Sequence, residues 1–284
     1  RPGRRFVPVL LVALALGGCA TFTPDGGMQA VATQVSTTIG ADAVKIASQD
    51  EAMLATGRVK TLLAKPLTAN SAVQIALLSN RGLQAEYNAL GLSEADFVEA
   101  SLPPNPTVVL GRTVTNGALE IERRVVGSLL TLLTQPTRRA IGERQFEAAR
   151  YRAIDATFRS AATARKAYYA AVAARQKVAY LEQARSSADA AADLMRSLGE
   201  TGAAKKLDQA RTAAFYAEVS NQLAAARLEA GTTREALTRS LGLWGSDINY
   251  KLPGQMPALP GQLAAKQLTE SEAIRKRVDL IASR

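Results

Sequence analysis

Apolar residues at Val73, Leu77, Leu83, Tyr87, Leu90 and Phe97 recur at helical spacing. Leu67-Thr68-Ala69-Asn70 opens this segment, with Asn70 as its expected N-cap, and Leu102-Pro103-Pro104 stops it, so a helix is predicted over 67–102. The period then changes. Val108, Leu110 and Val114 alternate with Thr107, Gly111, Thr113 and Thr115. After Asn116-Gly117, Leu119, Ile121 and Val125 alternate with Glu120, Glu122 and Arg124. Asn-Gly between alternating runs is a strong hairpin signal, because both turn residues must adopt positive φ. The pattern predicts a β-hairpin within 103–135 with one apolar and one charged face. Such a hairpin suits a membrane barrel, and a soluble amphipathic hairpin gives the same alternation.

Gln135-Pro136-Thr137 is expected to end the hairpin and start a helix with proline in its first turn. Helical periodicity then runs from Thr137 to Leu198, 62 residues, or roughly 93 Å at 1.5 Å per residue. Ala171, Ala174, Val178, Leu181, Arg185, Ala188, Ala192 and Met195 repeat at steps of three and four. Gly199-Glu200-Thr201-Gly202 interrupts the run, and a second helix is predicted to about Gly242. There Leu207, Ala210, Ala214, Ala217, Asn221, Ala224 and Leu228 repeat the same steps. Two such seams joined by a tight turn should fold back as an antiparallel coiled coil over 136–243, with its tip near 199–204. Phe215, Val219 and Ala226 lie on another side of the second helix, which suits a helix with more than one neighbour.

Outside these elements the pattern is weaker. From Cys19 to about Pro66 the chain is rich in Thr, Gly, Ala and Ser and reads as an extended or partly helical leader, 19–66. Pro253, Pro257 and Pro260 mark a connector over 244–266. Segment 273–282 can be laid over 76–85 with Ala76/Ala273, Leu83/Leu280 and Ala85/Ala282 identical, which suggests that 267–284 opens a second repeat.

Composition narrows the chemistry. Hydrophobic residues make up 47% and aromatics only 5% of 284 residues, which suits long, closely packed helices better than a bulky core. With no histidine and one cysteine, the usual zinc sites, catalytic triads and disulfide frameworks are unavailable. No cofactor or metal site is expected, and an enzyme is disfavoured. Net charge is +10, and the basic residues are spread between alanines without an aromatic platform, so nucleic-acid binding is not expected.

The single cysteine sits in Leu14-Ala15-Leu16-Gly17-Gly18-Cys19-Ala20-Thr21-Phe22, behind an apolar run that begins at Phe6 and follows Arg1, Arg4 and Arg5. A positive start, a short apolar stretch and small residues are the layout of a secretory signal peptide, here 1–18. Leu16-Gly17-Gly18-Cys19 resembles the bacterial lipobox. The resemblance implies lipidation of Cys19, and Ala20 after it favours the outer membrane. Acyl chains contribute about 0.8 kcal/mol per buried methylene, so several together make a stable anchor.

The order of elements, helix, two strands, long helix, tight turn and long helix, resembles the outer membrane efflux (TolC) family. Leu83-Gln84-Ala85, Glu94-Ala95-Asp96 and Leu102-Pro103-Pro104-Asn105-Pro106 are similar to its helix-to-strand entry. Gly202-Ala203-Ala204-Lys205-Lys206-Leu207-Asp208 resembles its hairpin tip, although Ala203 is smaller than the apolar residue usual there. Arg277-Val278-Asp279-Leu280 resembles the start of its second repeat. The resemblance implies a mainly α fold in which a long helical hairpin and two strands contribute to a trimeric α-barrel and outer-membrane β-barrel. It implies a passive efflux conduit in the outer membrane, lipid-anchored and extending into the periplasm, partnered by a periplasmic adaptor and an inner-membrane pump. Adaptor docking would fall to Leu198, Gly199, Gly202 and Leu207. The rival is a lipid-anchored periplasmic coiled-coil adaptor or scaffold. The family barrel has twelve strands and three copies of this sequence supply six, so a conduit is expected to need a further half. Single-channel conductance in planar bilayers holding only this chain would contradict that expectation.

Overall fold

The structure is a computed structural model, which describes residues 21–105, 107–115 and 118–259 together with Arg277 and Leu280. The elements are α1 (Met28–Ile39), α2 (Gln49–Leu63), α3 (Ala69–Ser79), α4 (Arg81–Ser101), β1 (Thr107–Thr115), β2 (Ala118–Val126), α5 (Leu129–Glu200) and α6 (Lys206–Leu241), then a 3-10 turn, Gly245–Ile248. The chain divides into two compact units. One takes in residues 1–31, 85–154 and 276–284, the other 32–84 and 155–275.

The predicted helix over 67–102 is two helices. Asn80 ends α3 with its backbone at φ −73°, ψ 107°. Its Oδ1 then accepts from the amides of Gly82 at 2.9 Å and Leu83 at 3.2 Å, capping α4. An asparagine that can serve as cap to the next helix offers the backbone an alternative to continuing the first. The expected N-cap also moves. Thr68, not Asn70, caps α3, in a reciprocal box with Ser71. Ser48 and Glu51 form another capping box at the head of α2.

The unit that holds 85–154 is organised by close approach of α4 and the first part of α5. A Cβ at Gly142 would lie 3.3 Å from the Phe97 Cα, so this crossing is built for glycine. The Phe97 and Phe146 rings stack at 6.0 Å, and the Arg150 guanidinium lies 4.3 Å from the Phe146 centroid on its other contact. Gly27, at φ +77°, comes so near Phe146 that an added Cβ would sit 2.8 Å from the ring. Glu94 is buried, and its Oε1 accepts from the Thr23 amide at 2.7 Å. This bond ties the segment before α1 to α4.

α5 begins at Leu129 rather than Thr137, so Pro136 lies inside the helix. Ser128 starts it early, its hydroxyl accepting from the Thr131 amide and hydroxyl. At 72 residues, α5 would extend roughly 108 Å.

In the other unit the core gathers Leu67, Ile75, Leu78, Tyr168, Val172 and Leu237 around the return of α6. The Tyr168 hydroxyl donates to the Leu67 carbonyl, and burial pushes its pKa up. The chain after α6 is strapped to it. Arg234 donates to the carbonyls of Ile248 and Tyr250 and stacks on the Tyr250 ring at 4.3 Å.

The α5–α6 hairpin is antiparallel: Lys177 pairs with Glu229 at 2.8 Å, Glu182 with Arg227 at 2.8 Å, and Arg185 donates to the Tyr216 hydroxyl at 2.9 Å. On α5 the seam is as predicted, with Ala171, Ala174, Leu181 and Ala188 buried. On α6 it is not. Leu207 and Leu228 are exposed, as are Ala210, Ala214, Ala217, Asn221 and Ala224. The packed stripe is Gln209, Thr212, Tyr216, Val219, Leu223, Ala226 and Ala230, at the same three-four steps. Both stripes have heptad spacing; the one carrying Tyr216, Val219 and Leu223 removes more apolar area from water and takes the α5 side.

Two expectations follow. Leu223→Ala should destabilise by about 2–5 kcal/mol, whereas Leu228→Ala should stay within about 0.5 kcal/mol, in urea unfolding. Backbone amides of Ala47 and Ser48 bonded to the Glu51 carboxylate hold its pKa below the usual range. The helix-head stabilisation is therefore complete above the unfolded value near 4.3 and lost as pH falls through the lower folded value. Hydrogen exchange across 48–52 should rise in acid, and Glu51→Gln should remove that pH dependence.

Candidate functional site

Two regions carry the candidate chemistry, the hairpin of one unit and the helical tip of the other. In the hairpin the antiparallel register runs from Thr107 opposite Val126 to Thr115 opposite Ala118. The strands have 9 residues each, about the length that spans a bilayer when tilted. Among the described residues the sheet has two strands, so each carries one edge with no strand beside it. Leu110 faces Arg123, and Arg112 faces Ile121. Both arginines therefore stand on the face of Leu110 and Ile121, and the expectation of a wholly apolar face is corrected. Alternation within each strand places them there as well, since Arg112 is two residues from Leu110 and Arg123 two from Ile121. The opposite face holds Glu122 ion-paired to Arg124. Asn116 and Gly117 themselves lie outside the described residues, as do Cys19 and all but Arg277 and Leu280 of the expected second-repeat segment.

The tip is a compact cap. Leu198 is half-buried, and its carbonyl accepts from the amides of Ala203 at 2.8 Å and Ala204 at 3.1 Å and from the Thr201 hydroxyl at 3.0 Å. The Gly202 amide donates to the Gly199 carbonyl at 3.1 Å. With Gly202 at φ +80°, this is a Schellman arrangement, which satisfies the carbonyls that end α5. Gly199 has a different reason to be glycine. A Cβ there would lie 2.0 Å from Gln209 Nε2, so it leaves room for the first packed side chain of α6. Nothing lies within 4 Å of a Cβ at Gly202, and Leu207 is 59% exposed. The structure thus brings the four predicted residues together in two roles. Leu198, Gly199 and Gly202 build the turn, and Gly202 and Leu207 open onto solvent. Among the described residues no group of three or more His, Cys, Asp or Glu side chains is arranged to hold a metal ion. No described helix is long and apolar enough to cross a membrane, which does not bear on strands.

No family model and no curated protein matches the chain. Solved structures do. A membrane protein from Pseudomonas aeruginosa aligns with TM-score 0.60 at 20% identity, over 76% of this chain and 53% of its own. CusC, whose crystal structures concern folding and transmembrane channel formation, aligns with TM-score 0.60 at 15% identity, over 80% of this chain and 53% of its own. The likeness is one of fold, shared with about half of each of these structures. The chain accordingly spans about half the length of the structures it matches. In this fold, mainly α with one β-hairpin, the two candidate regions are the strand pair and the turn of the long helical hairpin.

Gly199→Val should expel the Gln209 side chain and loosen the turn, raising hydrogen exchange at 203–209. Gly202→Asn, which tolerates the left-handed backbone, should leave those rates unchanged.

Proposed function

We propose that this chain is part of the outer-membrane channel component of a tripartite efflux system, a passive conduit for solutes delivered by an inner-membrane pump through a periplasmic adaptor. The observation that carries the reading is the hairpin with two open edges. In lipid, unpaired N–H and C=O groups cost several kcal/mol each, so bilayer-length strands of this kind require closure into a barrel. The second apolar stripe of α6 supports it. Leu207, Ala214, Ala217, Ala224 and Leu228 are exposed along a helix whose other side is already packed, as staves of a wall would be. On this reading the chain trimerises, Cys19 carries the lipid anchor, and the exposed Gly202 and Leu207 meet the adaptor. The strand positions of Arg112 and Arg123 set a condition. An arginine costs about 2–4 kcal/mol at the lipid midplane and little near the interface, so they act against insertion unless their guanidinium groups reach water.

The rival reading, a lipid-anchored coiled-coil adaptor or scaffold, shares the helical hairpin but leaves the strands soluble. Protease treatment of outer membranes separates the two. Residues 105–130 should be protected while the helices are cut, and cleavage of both would favour the scaffold. Gly202→Arg should abolish efflux with export and oligomer intact; unchanged efflux would remove the docking assignment. Ala217→Glu with Ala224→Glu should block assembly without lowering helix content, as read by sedimentation and circular dichroism.

A further inference from the structure

Trp244 is the chain's only tryptophan and is 73% exposed. Its position is fixed by the end of α6. Gly242 takes φ +70°, and a Cβ there would lie 2.6 Å from the Ser79 carbonyl oxygen, so the cap is pressed against the α3–α4 junction. Trp244 follows two residues later with extended backbone, φ −154°. The Arg81 guanidinium lies 5.7 Å from its ring centroid and steadies the indole from one side. Packing among the described residues does not account for an aromatic ring held this way.

The surroundings are concave on both sides of the ring. One cleft, of about 400 Å³, has Ile46, Val59 and Leu78 in its lining and Thr56, Lys60, Ser246 and Asp247 as its polar groups. The other, of about 450 Å³, is walled by Asn80, Gly82 and Arg239. The two share Ser79, Arg81, Gly242, Leu243 and Trp244, so the indole forms a ridge between them. Each is within the range of about 300–1,000 Å³ usual for small-molecule sites. Lys60, Arg81 and Arg239 form no ion pair with described residues, and Asp247 is the one carboxylate on the rim.

We propose that this double cleft binds a carboxylate-bearing saccharide chain, with one ring stacked on Trp244 and its neighbours in the concavities on either side. A pyranose presents a C–H face that packs on an indole and an edge of hydroxyls that seek polar partners. Trp244 offers the first, and Thr56, Ser246 and Asp247 offer the second. Lys60 and Arg239 supply charge-assisted bonds to a carboxylate on either side of the ridge. The inference goes beyond the channel reading and does not depend on it.

The single tryptophan makes the test direct. The purified chain is titrated with N-acetylglucosaminyl-N-acetylmuramic acid and, separately, with neutral N,N′-diacetylchitobiose, following Trp244 fluorescence. A saturable change is expected with the acidic disaccharide at roughly tenfold higher affinity than with the neutral one. Lys60→Gln with Arg239→Gln should erase that preference. Trp244→Ala should abolish saturation transfer to the sugar in ligand-observed NMR while circular dichroism stays unchanged. No saturable change with either sugar, equal affinity for both, or a fluorescence shift that follows protein concentration without sugar would each overturn the proposal, the last assigning the cleft to a second copy.

Discussion

The open edges of the two-stranded sheet are the constraint on which the rest of the structure turns. Thr107–Thr115 and Ala118–Val126 satisfy each other on one side and, among the described residues, leave a full row of backbone donors and acceptors on the other. In water such edges are tolerable, although an isolated hairpin is marginally stable. In a bilayer they are not, and they can be satisfied only by further strands. A membrane role for this hairpin therefore requires strands from elsewhere, from other copies or from further chain.

The helical hairpin poses the same problem in apolar rather than polar terms. α6 carries two heptad stripes, and α5 covers the one that holds Tyr216, Val219 and Leu223. The uncovered stripe is mostly alanine. Each alanine buries little area, but small side chains let a second backbone approach closely, as in a wall of packed helices. Across the seam, Arg185 sits at a position where an apolar knob would be expected and is accommodated by the Tyr216 hydroxyl and ring. One polar pair in an alanine-rich seam fixes register where the alanines do not.

Much of the architecture was legible in the chain. The change from helical to alternating spacing at Thr107, the return to helical spacing, and the glycine-bounded turn at 199–202 follow from local chemistry. What escaped was mostly a choice between equivalent local solutions. Asn80 fits a helix interior by pattern, yet its Oδ1 can cap the next helix while its Nδ2 reaches the Ser240 carbonyl of α6, and the chain takes that option. Pro136 reads as a first-turn residue, but Ser128 starts the helix earlier. On α6 period alone cannot choose between two stripes of equal spacing; side-chain volume does, through burial. The Ser48–Glu51 box was present as Ser-x-x-Glu and was hidden by the weak periodicity around it. At the candidate site, the tip residues were legible as a group, but only the folded turn shows that Leu198 and Gly199 are held inside it, while Gly202 closes it and, with Leu207, faces solvent. The two arginines on the apolar strand face also follow from alternation, Arg112 being two residues from Leu110 and Arg123 two from Ile121.

The central claim is that the hairpin meets lipid on the face of Leu110 and water on the face of Thr113. Nitroxide labels placed singly at Leu110, Thr113, Ile121 and Glu122 in outer-membrane-embedded protein test it most directly, through collision with oxygen and with a water-soluble nickel chelate. The account predicts higher oxygen than nickel accessibility at 110 and 121 and the reverse at 113 and 122. High nickel accessibility at all four would contradict it and return the hairpin to solution.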